Sequence, residues 1–168
     1  MAKGLPRSLG RNKAALQVKR VPLNHSVTVS ATGAAVGFGS VPVIDLPEGN
    51  VYVLASVAYV QLATTDTDIS ADFDGDFALG LAATADADLD DENEGLFISS
   101  TALGAATSKT SPRVRAVGTS GEIVDNTAGD LQAHLNVLID AAKIVDGGSA
   151  VFTVTGSVYI VYVVMGDD

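Results

Sequence analysis

The chain has 168 residues, a formal net charge of −10, and neither cysteine nor tryptophan. Without cysteine it forms no disulfide and no thiolate zinc site, and no apolar run reaches the roughly 18 residues of a membrane-spanning helix. Alanine, valine, glycine and threonine are abundant, and this favours β-structure with tight turns over a helical bundle.

The first twenty residues are basic and contain no acidic residue, whereas residues 21–168 carry four basic and twenty acidic residues, a net charge of −16. Gly4, Pro6 and Gly10 disfavour a helix, so we expect an extended arm over 1–20 and one domain over 21–168. An acidic partner protein would suit this arm, while a nucleic-acid tether would need interleaved aromatic side chains; a solvated tail is the third interpretation. The arm residues predicted to contact a partner are Lys3, Arg7, Arg11, Lys13, Lys19 and Arg20.

The stretch after the arm predicts strands. "HSVTVSA" (25–31) alternates valine with serine and threonine, a period of two that is typical of a strand. "VYVLASVAYVQLA" (51–63) is apolar on both faces, so we expect this strand to be covered on both sides. A turn is predicted between them, at Pro47, Gly49 and Asn50.

An acidic stretch follows, "DFDGDF" (72–77). If it forms a strand, the carboxylates Asp72, Asp74 and Asp76 point outward while Phe73 and Phe77 point inward. Like charges in a row repel one another, so we expect a basic arm or loop opposite them, from this chain or from a neighbouring copy.

The middle of the chain predicts shorter strands. "GLFISST" (95–101) is one, and "SPRVRAVGT" (111–119) and "GEIVDN" (121–126) form a strand pair joined near glycine. "DLQAHLNVLIDAA" (130–142) fits both a helical face and strict alternation. We favour a strand there because the rest of the chain is β.

The final element, residues 151–165, runs without a strand breaker except Gly156, where we expect a bend or bulge. Its second half is apolar on both faces, so it must be covered within the fold or by another subunit. Tyr159, Val161 and Val163 are therefore predicted to pack against a neighbouring subunit. Eight to ten strands with turn punctuation predict an all-β fold, a β-sandwich or jelly-roll with an extended N-terminal arm.

Catalytic and metal-binding motifs are weak. The acidic stretches 66–76 and 86–94 do not place glycine and glutamate where an EF-hand needs them, although an irregular calcium site stays open. His25 and His134 are expected to be half-exposed strand residues, and the sequence holds no GxSxG, P-loop or HExxH motif. We therefore expect a protein that is not an enzyme, with no cofactor and no metal.

Three stretches resemble small acidic head decoration, or cement, proteins of tailed bacteriophages: "DFALGLAATADADLDDENEGLFISSTALGAAT" (76–107), "HLNVLID" (134–140) and "FTVTGSVYIVYVVMGDD" (152–168). The resemblance implies an all-β virion structural protein that binds the major capsid protein on the outer capsid surface and stabilises the head. It also implies a homotrimer or another homo-oligomer, with no nucleic acid and no membrane as partner.

Other functions stay open beside this one. The main alternative is a carbohydrate- or receptor-binding β-sandwich module of a virion fibre or tail, which would need an exposed aromatic cluster. A hydrolase on a jelly-roll lacks a recognisable constellation, and a major capsid shell subunit is usually longer.

Overall fold

The computed structural model describes residues 16–31, 36–84, 86, 88–90, 93–118, 121–146 and 148–165, with Ala31 described by its backbone only. These residues form nine antiparallel strands. The strands are β1 (Gln17–Ala31), β2 (Gly37–Asp45), β3 (Gly49–Thr64), β4 (Gly75–Gly80), β5 (Ile98–Ala102), β6 (Val114–Gly118), β7 (Glu122–Asn126), β8 (Gln132–Ile139) and β9 (Gly148–Val164). Within the described residues no helix is long and apolar enough to cross a membrane.

The strand order is β5-β4-β8-β2-β1-β9-β3-β6, with β7 also paired to β3. β1 and β2 pair in register at Ser30 and Phe38, where the sheet passes from one half to the other. One half contains β5, β4, β8 and β2; the other contains β1, β9, β3, β6 and β7. The nine strands form one continuous sheet that wraps into a near-barrel. Its two halves are consistent with a β-sandwich or jelly-roll, so the predicted fold class is confirmed.

The core lies between the two halves because each strand turns one apolar face inward. On β9, Phe152, Val154 and Val158 are buried in this core. The ring of Phe152 meets the ring of Phe73 edge to face, with centroids 5.1 Å apart. Phe73 and Phe77 are fully buried, which confirms that both point inward.

Gly156 is neither a bend nor a bulge, so that prediction is wrong. Pairing continues through Gly156 on both sides of β9, to Leu23 of β1 and Val60 of β3. Its φ is +140°, and a Cβ there would lie 1.8 Å from the carbonyl oxygen of Tyr59. Glycine is needed because the strands approach each other too closely for a side chain.

Two further predictions concern the middle strands. β6 and β7 do not pair with each other: both pair with β3, β6 with Ser56–Val60 and β7 with Gly49–Val53. They lie end to end along β3, so the predicted strand pair is wrong. The preference for a strand near residues 130–142 is confirmed by β8.

Candidate functional site

The start of β1 is where the predicted arm meets the fold. Gln17 to Arg20 pair with β9, so the last four residues of the predicted arm belong to β1. Lys19 Nζ donates to the carbonyl oxygen of Asp45 at 2.8 Å. The other four predicted arm residues, Lys3, Arg7, Arg11 and Lys13, lie outside the described residues.

The three residues predicted to pack against a subunit lie on one face of β9. Tyr159, Val161 and Val163 are half-buried, and they alternate with Ile160 and Tyr162, which point into the core. They therefore point away from the core. This places them on the outer side of the half-sheet that contains β9.

Neighbouring strands extend this surface, because antiparallel partners in register share a face. Val161 lies opposite Val18 of β1, and Tyr159 lies opposite Val57 of β3. We call the surface the outer apolar face; its residues are Val18, Tyr52, Val57, Tyr59, Val117, Ile123, Tyr159, Val161 and Val163. Val18 is 65% exposed and Ile123 is 60% exposed, so the face is open to solvent over the described residues.

The centre of the outer apolar face is a hollow of about 340 Å³, lined by Val18, Val57, Tyr59, Arg115, Tyr159 and Val161. The rings of Tyr59 and Tyr159 meet edge to face with centroids 6.4 Å apart. The guanidinium carbon of Arg20 lies 5.8 Å from the centroid of the Tyr159 ring, a cation–π distance. The hollow is thus apolar and aromatic, with two positive charges beside it.

On the other half-sheet, described residues of the loop over 81–97 lie across the outer side of β4 and β8. Leu89 of this loop is buried against Ala78 and Leu138. Asn136 of β8 binds the loop from below: its Nδ2 donates to the carbonyl oxygens of Ala82 and Glu94 at 2.9 and 3.0 Å. Within the part of the chain that the structure describes, this loop therefore covers one half-sheet, whereas the outer apolar face of the other half stays open.

The predicted acidic row is only partly a strand feature. β4 begins at Gly75, so Asp72 lies in the preceding turn and the three carboxylates do not share one strand face. At Gly75 the chain comes so close to β8 that a Cβ would lie 2.0 Å from the carbonyl oxygen of Leu138. Asp72 Oδ2 accepts a hydrogen bond from Lys143 Nζ at 2.9 Å, so one positive partner comes from a turn of the same chain. Hydrogen bonds from Ser70 and Lys143 lower the pKa of Asp72 to about 2.

Asp74 and Asp76 are half-buried, and no described residue forms an ion pair with Asp76. Burial raises the pKa of Asp76, and the charges of Asp140, Asp90 and Asp74 raise it further. Repulsion within the acidic group is therefore relieved at Asp72 but persists at Asp76.

The histidines lie on strands and are half-buried, His25 on β1 and His134 on β8. His134 Nδ1 lies 3.4 Å from Ser40 Oγ, and burial lowers the pKa of His134. Among the described residues no group of three or more histidine, aspartate or glutamate side chains is placed to hold a metal ion.

Several residues of the outer apolar face, among them Tyr59 and Val18, were not identified from the sequence as site residues, and neither was Arg115, which lines the hollow. The signal was present in part, because "VYVLASVAYV" (51–60) is apolar on both faces. It could not show which of the two faces the core covers, since that depends on pairing with β9, about 100 residues later.

No family model and no curated protein matches the chain. Among solved structures, a chain of the Cyanophage Pam1 capsid asymmetric unit is 16% identical, with 98% of this chain and 91% of that chain covered and a TM-score of 0.44. A CocE/NonD family hydrolase from Staphylococcus aureus is 12% identical, with coverages of 89% and 37% and a TM-score of 0.44. A chain of the infectious bursal disease virus Gt strain is 12% identical, with coverages of 96% and 37% and a TM-score of 0.41. Virus chains and an enzyme thus both occur among the neighbours, and at these TM-scores the likenesses decide no function.

Proposed function

We propose that the chain is a non-enzymatic structural protein of a virus particle, a decoration or cement protein that binds the outside of the capsid. It stabilises the head through contacts with the major capsid protein and with copies of itself. The observation that carries the proposal is the outer apolar face, which the described residues leave open while they cover the opposite side of the fold.

An open apolar face of this extent is typical of an interaction surface. Its half-buried tyrosines, and the exposed arginines Arg20 and Arg115 beside it, are residue types that are enriched at protein interfaces. Its valines, Val57 and Val161 among them, supply apolar surface that is buried when a partner binds. A protein that acts by adhesion in many copies needs no catalytic group, because modest contacts multiply through avidity.

The charge distribution supports assembly in a second way. Residues 1–15 carry Lys3, Arg7, Arg11 and Lys13 with no acidic residue, and the rest of the chain is strongly acidic. We call residues 1–15 the leader. A basic segment joined to an acidic body is suited to contact an acidic neighbour in the particle. The acidic body also keeps a densely decorated particle soluble.

Co-sedimentation with bare heads of the encoding virus tests the proposal. The full chain should sediment with the heads and raise the temperature at which they disrupt. A chain that begins at Leu16 leaves β1 intact, and it should bind at least about tenfold more weakly if the leader contacts the capsid. As a matched control, replacing only the four leader charges by serine keeps the length and should give the same loss. A full chain that stays in the supernatant contradicts the proposal.

A second candidate, a carbohydrate-binding module, is favoured by one observation. Tyr52, Tyr59 and Tyr159 share the exposed face, which supplies the aromatic cluster that such a module requires. A glycan array distinguishes the two functions, because clear hits that vanish in Tyr59→Ala and Tyr159→Ala would support sugar binding. No hits, together with binding to heads, would exclude it.

A further inference from the structure

The turn over residues 140–146, directly before β9, presents an exposed apolar side chain among carboxylates. Val145 is 65% exposed, and its backbone nitrogen donates to the carbonyl oxygen of Asp68 at 2.7 Å. Asp68 and Asp146 line the same shallow depression beside this turn. Ile144 anchors the turn through a β-bridge to Ile69. We call Asp68, Val145 and Asp146 the acidic knob.

The acidic knob is complementary to the hollow of the outer apolar face. The knob offers one apolar side chain with two negative charges beside it; the hollow offers apolar walls with Arg20 and Arg115 beside it. An aliphatic side chain such as Val145 is small enough for a hollow of about 340 Å³. Opposite charges around an apolar contact fix its register and favour the correct partner.

The knob and the hollow of one chain cannot meet. Asp146 lies two residues before Gly148, the first residue of β9, whereas Tyr159 and Val161 lie toward the far end of that strand. From Gly148 to Tyr159 the strand advances 11 residues, or roughly 36 Å at about 3.3 Å per residue. Any contact between the two features must therefore join two copies.

We infer that the hollow of one copy binds the acidic knob of a second copy, head to tail. The inference deepens the proposed function because it adds a specific contact between copies of the chain. It rests on the proposed function only for the claim that this contact forms in a virus particle. A pair that joined two hollows face to face would bring their positive charges, Arg20 and Arg115 of each copy, close together, and like charges oppose such a pair. The head-to-tail contact is heterologous, so it closes into a ring or extends as a chain of subunits.

Charge reversal tests this pairing on the full chain. The hollow variant is Arg20→Glu with Arg115→Glu, and the knob variant is Asp68→Lys with Asp146→Lys. All four side chains lie at least partly exposed on the surface, so we expect native far-UV circular dichroism and an unchanged melting temperature. A control variant, Glu48→Lys with Asp130→Lys, makes the same charge change as the knob variant in a turn away from both features.

Molar mass is measured by light scattering and sedimentation for each protein alone and for the mixture. The wild type and the control should form multimers. For each reversed variant alone, the dissociation constant of the multimer should be higher by about tenfold or more. An equimolar mixture of the two variants should restore the multimers, because each reversed hollow then meets a reversed knob. If a variant fails to fold, Val145→Lys alone is the substitute, and it should weaken self-association in the same way.

Three outcomes overturn the inference: a wild type that stays monomeric at all concentrations, multimers that survive both reversals, or a mixture of folded variants that stays monomeric. These differ from failure of the proposed function. A chain that decorates heads as a monomer overturns only the self-contact, and a chain that forms multimers but ignores heads overturns only the capsid role. Glycan binding by a monomeric wild type, lost in the hollow variant, would assign the hollow to a sugar instead.

Discussion

Replacing Gly156 by alanine should strongly destabilise the protein, because β9 has no room for a side chain there. A residue other than glycine at φ +140° costs about 1–3 kcal/mol in backbone strain. The new Cβ would also lie 1.8 Å from the carbonyl oxygen of Tyr59, and relieving such overpacking costs about 1–3 kcal/mol more. The expected loss is therefore roughly 2–6 kcal/mol, a large fraction of the stability of a typical domain.

Equilibrium urea unfolding followed by circular dichroism measures this loss. The matched control is Gly148→Ala on the same strand, where the nearest atom to a new Cβ is Asp68 Oδ2 at 4.0 Å. The control should stay within about 0.5 kcal/mol of the wild type. If Gly156→Ala unfolds at the same urea concentration as Gly148→Ala, the close pairing of β9 with β3 is refuted.

Three further outcomes are expected. Asn136→Ala removes the side chain that bonds the loop over 81–97, so urea unfolding should show a loss of about 2–4 kcal/mol, and a loss under 0.5 kcal/mol would contradict this. The pKa of Asp72 in the folded protein is about 2, below its ordinary value of 3.8. The stability that the Asp72 carboxylate contributes is therefore fully present at a pH above 3.8 and is lost as the pH falls toward 2. A carboxyl NMR titration of Lys143→Gln should move this pKa upward, and an unmoved pKa would exclude the ion pair. Burial and neighbouring carboxylates raise the pKa of Asp76, so Asp76→Asn should raise the melting temperature at pH 7, with the gain shrinking as the pH falls and the wild-type carboxyl protonates; a lower melting temperature at pH 7 would contradict this.

Local patterns in the sequence were enough to predict most of the strands and the fold class, although β2 (Gly37–Asp45) was not predicted. Alternation identified β1 and β8, and two-sided apolar runs identified β3 and β9, because side chains alternate across a strand whatever its partners are. The inward direction of Phe73 and Phe77 followed from the same alternation. These features depend only on neighbouring residues, so no knowledge of the tertiary structure was needed.

The errors lie where distant segments meet. Gly156 suggested a bulge, but its role is set by the approach of β3, which no local pattern encodes. β6 and β7 each looked like half of a hairpin, although both pair with β3. Asn136 alternates like a solvent-facing residue, yet it is buried because the loop over 81–97 folds across it.

The candidate site was predicted in the same incomplete way. Tyr159, Val161 and Val163 were singled out because a two-sided apolar strand needs a cover on both sides. β9 lies between β1 and β3 in the sheet. Its inner side chains Ile160 and Tyr162 are buried in the core, whereas the outer side stays open among the described residues. Arg115 could not be placed beside these residues, since its position depends on the pairing of β6 with β3.

The central claim is that the outer apolar face becomes covered when the protein assembles. Hydroxyl-radical footprinting with mass spectrometry measures the side-chain accessibility of Tyr59 and Tyr159 in the free chain at high dilution and in the purified particle. The account predicts strong protection of both rings in the particle, with Tyr162, already buried beneath them, unchanged. Equal labelling of Tyr59 and Tyr159 in the two states would contradict it.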